Sequence, residues 1–303
     1  MSLWSSSYSR ARPVLILQLL LNGLALGAAY ALAALGFVLV LNASRAVNFA
    51  QGDLVMAGGF VAVALGSWLP LPGILLLPAV LALMALLGLA VGLVAYVPLK
   101  DRPPTSIFIS TIAIGVILQQ GANSLFGGAP QAGPPLVGGG AIAAGDLVLS
   151  RQSVAIVAVA ALLVLLLHLL LTRTQAGRRM RAAAQDPEMA RAMGIEVTGT
   201  ALTSFALAAA LAGAAGLLLA NQYFVTPTAG GDLMLKAYIA VVIGGWGRLG
   251  GAVLGALLIA LFEVGVAAAV SYPVAEALLY AALLAVLALR PQGLLGEAEG
   301  RRA

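Results

Sequence analysis

The sequence contains no cysteine, one histidine, and charged residues at only 9% of its 303 positions. Each shortage excludes a class of protein. Without thiols there are no disulfides, thiolate metal sites or thiol nucleophiles. His168 is flanked by leucines on both sides and reads as a helix-packing or interfacial residue. A lone histidine without cysteine supports no zinc or haem centre, so no metal is expected. No stretch fits GxxxxGK[ST]; the glycines of GRLGGAVLG, residues 247–255, come without the lysine that a phosphate-binding loop needs. Neither a nucleophile–base pair nor a convincing pair of acids stands within the apolar runs, which leaves an intramembrane hydrolase unsupported. A soluble domain carries roughly a quarter charged residues, so most of the usual water-facing surface is missing.

What fills the chain is apolar: 62% hydrophobic residues and a mean hydropathy of +1.05. Runs near twenty residues recur along its length, as multi-pass helical membrane proteins require. Abundant glycine and alanine suit close helix packing in lipid, and the alternation of a membrane barrel is missing. The fold class is therefore all-α and polytopic, with about 8–10 transmembrane helices in one transmembrane domain spanning 1–303. Apolar segments are expected near 14–41, 54–69, 73–97, 107–126, 152–171, 200–220, 234–245, 249–270 and 273–289. The first is too long for a signal-peptide core and reads as a retained anchor. The segments at 107–126 and 234–245 are weak, as expected of discontinuous helices lining a polar cavity.

The net charge of +5 does not point to nucleic acid, because the arginines lie between apolar spans. With the N-terminus outside, one side collects Arg45, Lys100, Arg102, Arg173, Arg178, Arg179, Arg181, Arg191, Arg248, Arg290, Arg301 and Arg302. The other collects Arg10, Arg12, Arg151 and Lys236. That asymmetry makes the first side cytoplasmic.

Two stretches resemble each other: QGDLVMAGGFVAVALG at 51–66 and GGDLMLKAYIAVVIGG at 230–245. Both set Gly-Asp-Leu at the mouth of an apolar segment, and the two segments run in opposite directions. Inverted halves near 14–171 and 200–289 are the expected reading, with broken helices meeting at mid-bilayer. Asp53 and Asp232 read as N-caps of the helices they precede, with a place on a solute passage as the alternative, not exclusive, role. Asn48 and Gln51 read as amides lining it. Lys236 either snorkels or joins the passage. Glu263, midway along its span, needs a buried partner, Lys236 or Arg248. Asn22 and Tyr30 fit helix–helix hydrogen bonding. One carboxylate among neutral amides suits a zwitterionic or small polar solute.

The loop at 172–199 carries TRTQAGRRMRAAAQDPEMARAMGIEV. Asp186 is a good N-cap, Pro187 fits the first helical position, and Glu188 complements the helix dipole. Gly194 can end the helix in a left-handed conformation. A short helix exposing Glu188, Met189, Arg191 and Met193 suits docking into a groove on another protein.

This loop resembles the coupling loop of ABC-transporter permeases, in which an Ala-Ala pair precedes a glycine at near-fixed spacing. NFAQGDLVMAGGF, residues 48–60, and the stretch 230–263 resemble the early and late segments of the branched-chain amino acid permease family, in that order. Gly194 lacks the Leu-Pro that usually follows it. The resemblance implies an importer subunit of the bacterial inner membrane, moving branched-chain or related amino acids by alternating access. It implies a second homologous permease subunit, two cytoplasmic ATPases and an extracytoplasmic solute-binding protein. It assigns coupling to Arg181, Ala183, Ala184, Asp186, Pro187, Glu188, Arg191 and Gly194. No cofactor is expected in this chain, since ATP and Mg belong to the ATPases. A stand-alone secondary transporter or channel is the alternative, with Glu263 as its one intramembrane acid for coupling.

Overall fold

A computed structural model describes residues 3–138, 140–144, 147–290 and 292–295, with side chains described except in 3–15 and 141–148. The helices are α1 (Leu3–Ser44), α2 (Gln51–Trp68), α3 (Gly73–Val91), α4 (Pro104–Phe126), α5 (Arg151–Arg173), α6 (Gln175–Gln185), α7 (Pro187–Ala192), α8 (Val197–Tyr223), α9 (Ala229–Gly244), α10 (Leu249–Ala269) and α11 (Tyr272–Leu289). A hairpin of β1 (Ala141–Ala144) and β2 (Leu147–Ser150) precedes α5. The chain is an all-α polytopic membrane protein. Seven of the described helices are long and apolar enough to cross a bilayer, and α2 and α9 are not among them. The weak segment at 107–126 is one of the seven, as α4.

Burial sorts the helices by composition. The apolar window of α1 is 89% buried and that of α8 72%, against 11% for α11. A helix enclosed all round needs no amphipathic stripe. Instead α1 uses small residues: a Cβ at Gly27 would reach the Leu257 backbone on α10 at 3.0 Å. A Cβ on Gly58 of α2 would strike Gly213 of α8, and one on Gly216 would strike α2 at Val55 and Gly59. Glycines thus set the crossing of α2 on α8, as in tightly packed membrane helices.

Loop contacts fix which helix ends share a face. On one face Arg45 Nη2 donates to the Gln185 carbonyl at 3.4 Å and Lys100 Nζ to Thr198 Oγ1 at 3.1 Å. There too Asn42 Nδ2 donates to the Gly247 carbonyl at 3.0 Å, and Leu294 N to the Ile243 carbonyl at 2.8 Å. On the opposite face Gly133 N donates to Ala220 at 3.0 Å, Gly73 N to Pro135 at 2.8 Å, and Leu136 N to Gln152 Oε1 at 3.0 Å. The first face holds every arginine assigned to it above that is described, and the second holds Arg151. The arginine-rich face is cytoplasmic. Lys236 needs correcting: it is buried within α9, on neither face. Arg301 and Arg302 lie outside the described residues, and the side chains of Arg10 and Arg12 are not described.

α2 starts inside the membrane. Gln51, its first residue, donates through Nε2 to the carbonyls of Ala33 and Ala208, at 3.3 and 3.4 Å. Ala33 lies eleven residues before the cytoplasmic end of α1 (44 − 33) and Ala208 eleven after the start of α8 (208 − 197). Both depths are about 16 Å at 1.5 Å per residue, near the middle of a hydrocarbon core of about 30 Å. α9 starts against the same point, since a Cβ on Gly52 would collide with the Gly230 carbonyl. From there α2 runs to the outer face and α9 to the cytoplasmic face. Each is fed by a short non-helical segment, 45–50 or 224–228. Arg45 and Phe224 open these segments with φ of 55°, the two non-glycine residues described with positive φ. Each stands eight residues before its Gly-Asp aspartate (53 − 45, 232 − 224). The late half-helix begins at Ala229, five residues ahead of the expected 234.

The glycine crossings are testable by thermal unfolding in detergent. Gly58→Leu is expected to cost about 3 kcal/mol or more through overpacking. Gly121→Leu on α4, where an added Cβ meets nothing within 4 Å, is expected to be neutral or stabilising by about 0.5–1 kcal/mol.

Candidate solute pathway and coupling helix

The sequence NFAQGD forms the entry to α2, with a different division of labour from the one expected. Asn48 Oδ1 accepts from Ala50 N at 3.1 Å, an Asx turn that bends the chain into the helix. The N-cap position is Ala50 and carries no side-chain cap bond. Asp53 is therefore the third helical residue, not a cap. Its carboxylate still sits at the positive end of the helix dipole. Asp53 Oδ1 accepts from Gln119 Nε2 of α4 at 2.9 Å. Gly115 of α4 and Gly230 of α9 leave room for it, because a Cβ at either would run into the carboxylate. Asp232 is likewise no cap: the N-cap position of α9 is Thr228, which makes no side-chain cap bond, and Asp232 is its fourth residue, exposed.

Asn48, Gln51 and Asp53 are brought together, all at least 95% buried. Gln51 fits because Gly36 leaves a gap on α1 that a Cβ would close. Among the described residues Asn48 Nδ2 and Gln51 Oε1 have no hydrogen-bond partner, although both are buried. Sequence reading missed α4 in this site. Thr111 Oγ1 accepts from Phe49 N at 3.1 Å, and Gly115 and Gln119 follow at four-residue intervals. That i, i+4, i+8 stripe of small and polar residues was the available signal.

A second polar group lies inside the membrane. Lys236 Nζ pairs with Glu263 Oε1 at 2.7 Å and donates to the Tyr30 hydroxyl at 3.0 Å and the Tyr272 hydroxyl at 2.9 Å. Tyr30 in turn donates to Glu263 Oε2 at 3.2 Å. All three ammonium protons are used, and the group ties α9 to α1, α10 and α11. Of the two partners considered for Glu263, the structure places Lys236 there. Tyr272 was not foreseen, since its distance in sequence hides it. On α1, Asn22 Oδ1 accepts from Ser153 Oγ of α5 at 3.3 Å, an interhelical bond of the expected kind.

On the cytoplasmic face Asp186 caps α7, accepting from Glu188 N at 3.0 Å and Met189 N at 3.1 Å. Pro187 occupies the first position. Gly194, at φ 77°, ends the turn, and Ile195 N reaches back to the Ala190 carbonyl at 2.9 Å. Ala183, Ala190 and Val197 bury against one another with Ile195 beside them. Ala184 is half-buried on α6. This small core locks α6, α7 and the start of α8 into one knuckle. Glu188 and Arg191 are exposed, as are Met189 at 63% and Met193 at 82%. Arg181 stands apart from this face: it lines a groove with His168, Thr172 and Leu249.

Comparison with known proteins shows the family. Residues 19–287 match the family described as branched-chain amino acid transport system, permease component. The chain is 31% identical to the high-affinity branched-chain amino acid transport system permease protein BraD of Pseudomonas aeruginosa, over 93% of this chain and 96% of that one. The corresponding LivH protein of Escherichia coli K12 shows the same identity and coverage. A probable branched-chain amino acid transport permease protein LivH of Methanocaldococcus jannaschii is 30% identical over 77% of this chain and 75% of its own.

The buried ion pair predicts a double-mutant result. Lys236→Met strands a carboxylate and is expected to cost about 3–5 kcal/mol, whereas Lys236→Met with Glu263→Leu recovers most of it. Denaturation of the three proteins in micelles reads the difference.

Proposed function

The chain belongs to the family of permease components of branched-chain amino acid transport systems, and on that premise we propose that it imports branched-chain or related amino acids across the bacterial inner membrane by alternating access. Its partners are a second homologous permease subunit, two cytoplasmic ATPases that hold ATP and Mg, and an extracytoplasmic binding protein. The chain contributes passage and coupling, and hydrolysis belongs to the ATPases.

The observation that carries this reading is α7. It is capped, cytoplasmic, and presents Met189 and Met193 beside Glu188 and Arg191. Exposed thioethers among charges suit a docking groove. The knuckle under α7 continues into α8, whose Ala208 carbonyl holds Gln51 and whose Gly213 and Gly216 seat α2. A push on α7 therefore reaches the mid-membrane joint through one continuous helix. We assign coupling to Ala183, Asp186, Pro187, Glu188, Arg191 and Gly194.

The passage is proposed to open where α4 and α9 part over Asp53. Parting uncovers the Asp53 carboxylate and the Gln119 amide, a match for the ammonium end of an amino acid. Asn48 and Gln51 would gain partners for their unpaired atoms in that state. Opposed α2 and α9 support inverted halves, whose half-helices meet at the site. An ion-coupled carrier has less in its favour, because Glu263 is neutralised by Lys236 and enclosed.

Proteoliposomes holding the whole assembly test both parts. Glu188→Lys with Arg191→Glu is expected to lower uptake at least tenfold with the chain still inserted, and Asp53→Asn to lower uptake while ATPases remain bound. Full uptake in either case removes the corresponding assignment. Solute flux through this chain alone would favour the carrier.

A further inference from the structure

α5 and α10 both pack on α1 and leave a groove between them. Its upper part is a cavity of about 490 Å³ floored by Ala28 and Ala31 and walled by Val157, Ala161 and Leu257. Its lower part, about 200 Å³, ends at Thr172 and Arg181. His168 and Val164 line both parts, so the two are continuous. Along α5 the groove runs from Val157 to Thr172, fifteen residues (172 − 157), or about 22 Å. That exceeds the roughly 15 Å hydrocarbon depth of one leaflet, enough for an acyl chain to lie along it.

We propose that this groove binds an anionic phospholipid of the cytoplasmic leaflet, an acyl chain between α5 and α10 and the phosphate on Arg181. The apolar walls match methylene chains. Among the described residues lining the groove, the one charged residue, Arg181, is a cation placed at the cytoplasmic end, where a lipid phosphate lies. Arg181 makes no hydrogen bond or ion pair among the described residues, so its donors are available. Arg173, Arg178 and Arg179 add positive charge to the same face. A transmembrane helix from a partner would be walled equally well by alanine and leucine, but gives no reason for a cation at the mouth. Basic pockets between membrane helices on the cytoplasmic side recognise acidic head groups in this way. The bound lipid bridges α5 to α10 across the gap, and the inference is independent of the pathway assignment.

Native mass spectrometry of the full chain, titrated with phosphatidylglycerol or with phosphatidylcholine of the same chains, tests the site. The expected result is preferential retention of phosphatidylglycerol, reduced about fivefold by Arg181→Gln. Ala161→Phe, which fills the groove from an exposed position, is expected to lower retention of both lipids, whereas Ile117→Phe on α4 leaves it unchanged. Equal retention of the two lipids, or undiminished phosphatidylglycerol in Arg181→Gln or Ala161→Phe, overturns the proposal. So does efficient cross-linking of Ala161→Cys to a second permease subunit in the assembled transporter, which would put a protein helix in the groove.

Discussion

A peptide group in lipid must find its hydrogen-bond partner within the protein. A helix that starts at mid-bilayer violates that rule with its first turn, whose N–H groups have no intrahelical acceptor. Two such starts, those of α2 and α9, are therefore tolerable only where protein encloses them or a water-filled cavity reaches them. α1 and α8, the most buried of the long spans, enclose the start of α2, whereas the start of α9 packs on α2 and leaves Gly231 and Asp232 exposed. It also explains where the glycines sit. Gly52 and Gly230 let the half-helices touch backbone to backbone, and Gly58, Gly213 and Gly216 bring α8 against α2. Asn48 and Thr111 supply acceptors to the backbone of the lead-in at Ala50 and Phe49.

The same constraint divides the molecule into two sets of ties. α2 is held to α1 and α8 by the Gln51 amide and to α4 by Asp53 and Gln119. α9 is held to α1, α10 and α11 by Lys236, through an ion pair and two tyrosines. Between these sets lies the contact of Gly52 with Gly230, flanked by Asp53 and Met234 but crossed by no side-chain hydrogen bond or ion pair among the described residues. Removing one partner of a buried ion pair costs about 3–5 kcal/mol, whereas sliding two glycine surfaces leaves no charge stranded. Relative motion of the half-helices is easier at the joint than at either anchor.

How much of this was legible in the sequence varied with the range of the forces involved. The spans and the cap of α7 were, because apolar run length and an Asp-Pro-Glu start act over a few residues. Glycine-led half-helices were also visible as the paired Gly-Asp-Leu motifs. Their boundaries were not: α9 begins five residues early, through Gly230 and Gly231, because close approach to α2 outweighs the poor helix propensity of glycine. Asp53 looked like a cap because it precedes the apolar run, but the Asx turn at Asn48 had already started the helix. Tyr272 was not legible as a site residue, since only tertiary packing brings it to Lys236, and Gln119 showed only as the end of the Thr111–Gly115–Gln119 stripe. Arg181, grouped with the coupling residues, turns away from α7, an orientation that no local signal encodes.

Two of the three buried unpaired side-chain atoms described, and both non-glycine residues described with positive φ, lie at the segments leading into the half-helices, the third atom being Gln152 Nε2 on α5. Arg45 and Phe224 hold positive φ, which costs a side-chain-bearing residue about 1–3 kcal/mol. Asn48 Nδ2 and Gln51 Oε1 are buried without partners, each at about 1–3 kcal/mol. A protein with one resting arrangement gains nothing from these costs; Arg45 and Phe224 are exposed, but Asn48 and Gln51 are buried where α2 begins inside the membrane. A protein that alternates between two arrangements needs them within a few kcal/mol of each other. The unpaired amide atoms at the joint do this without weakening the anchors: they raise the state seen here, while Lys236, Glu263 and the glycine crossings keep the helices around the joint intact.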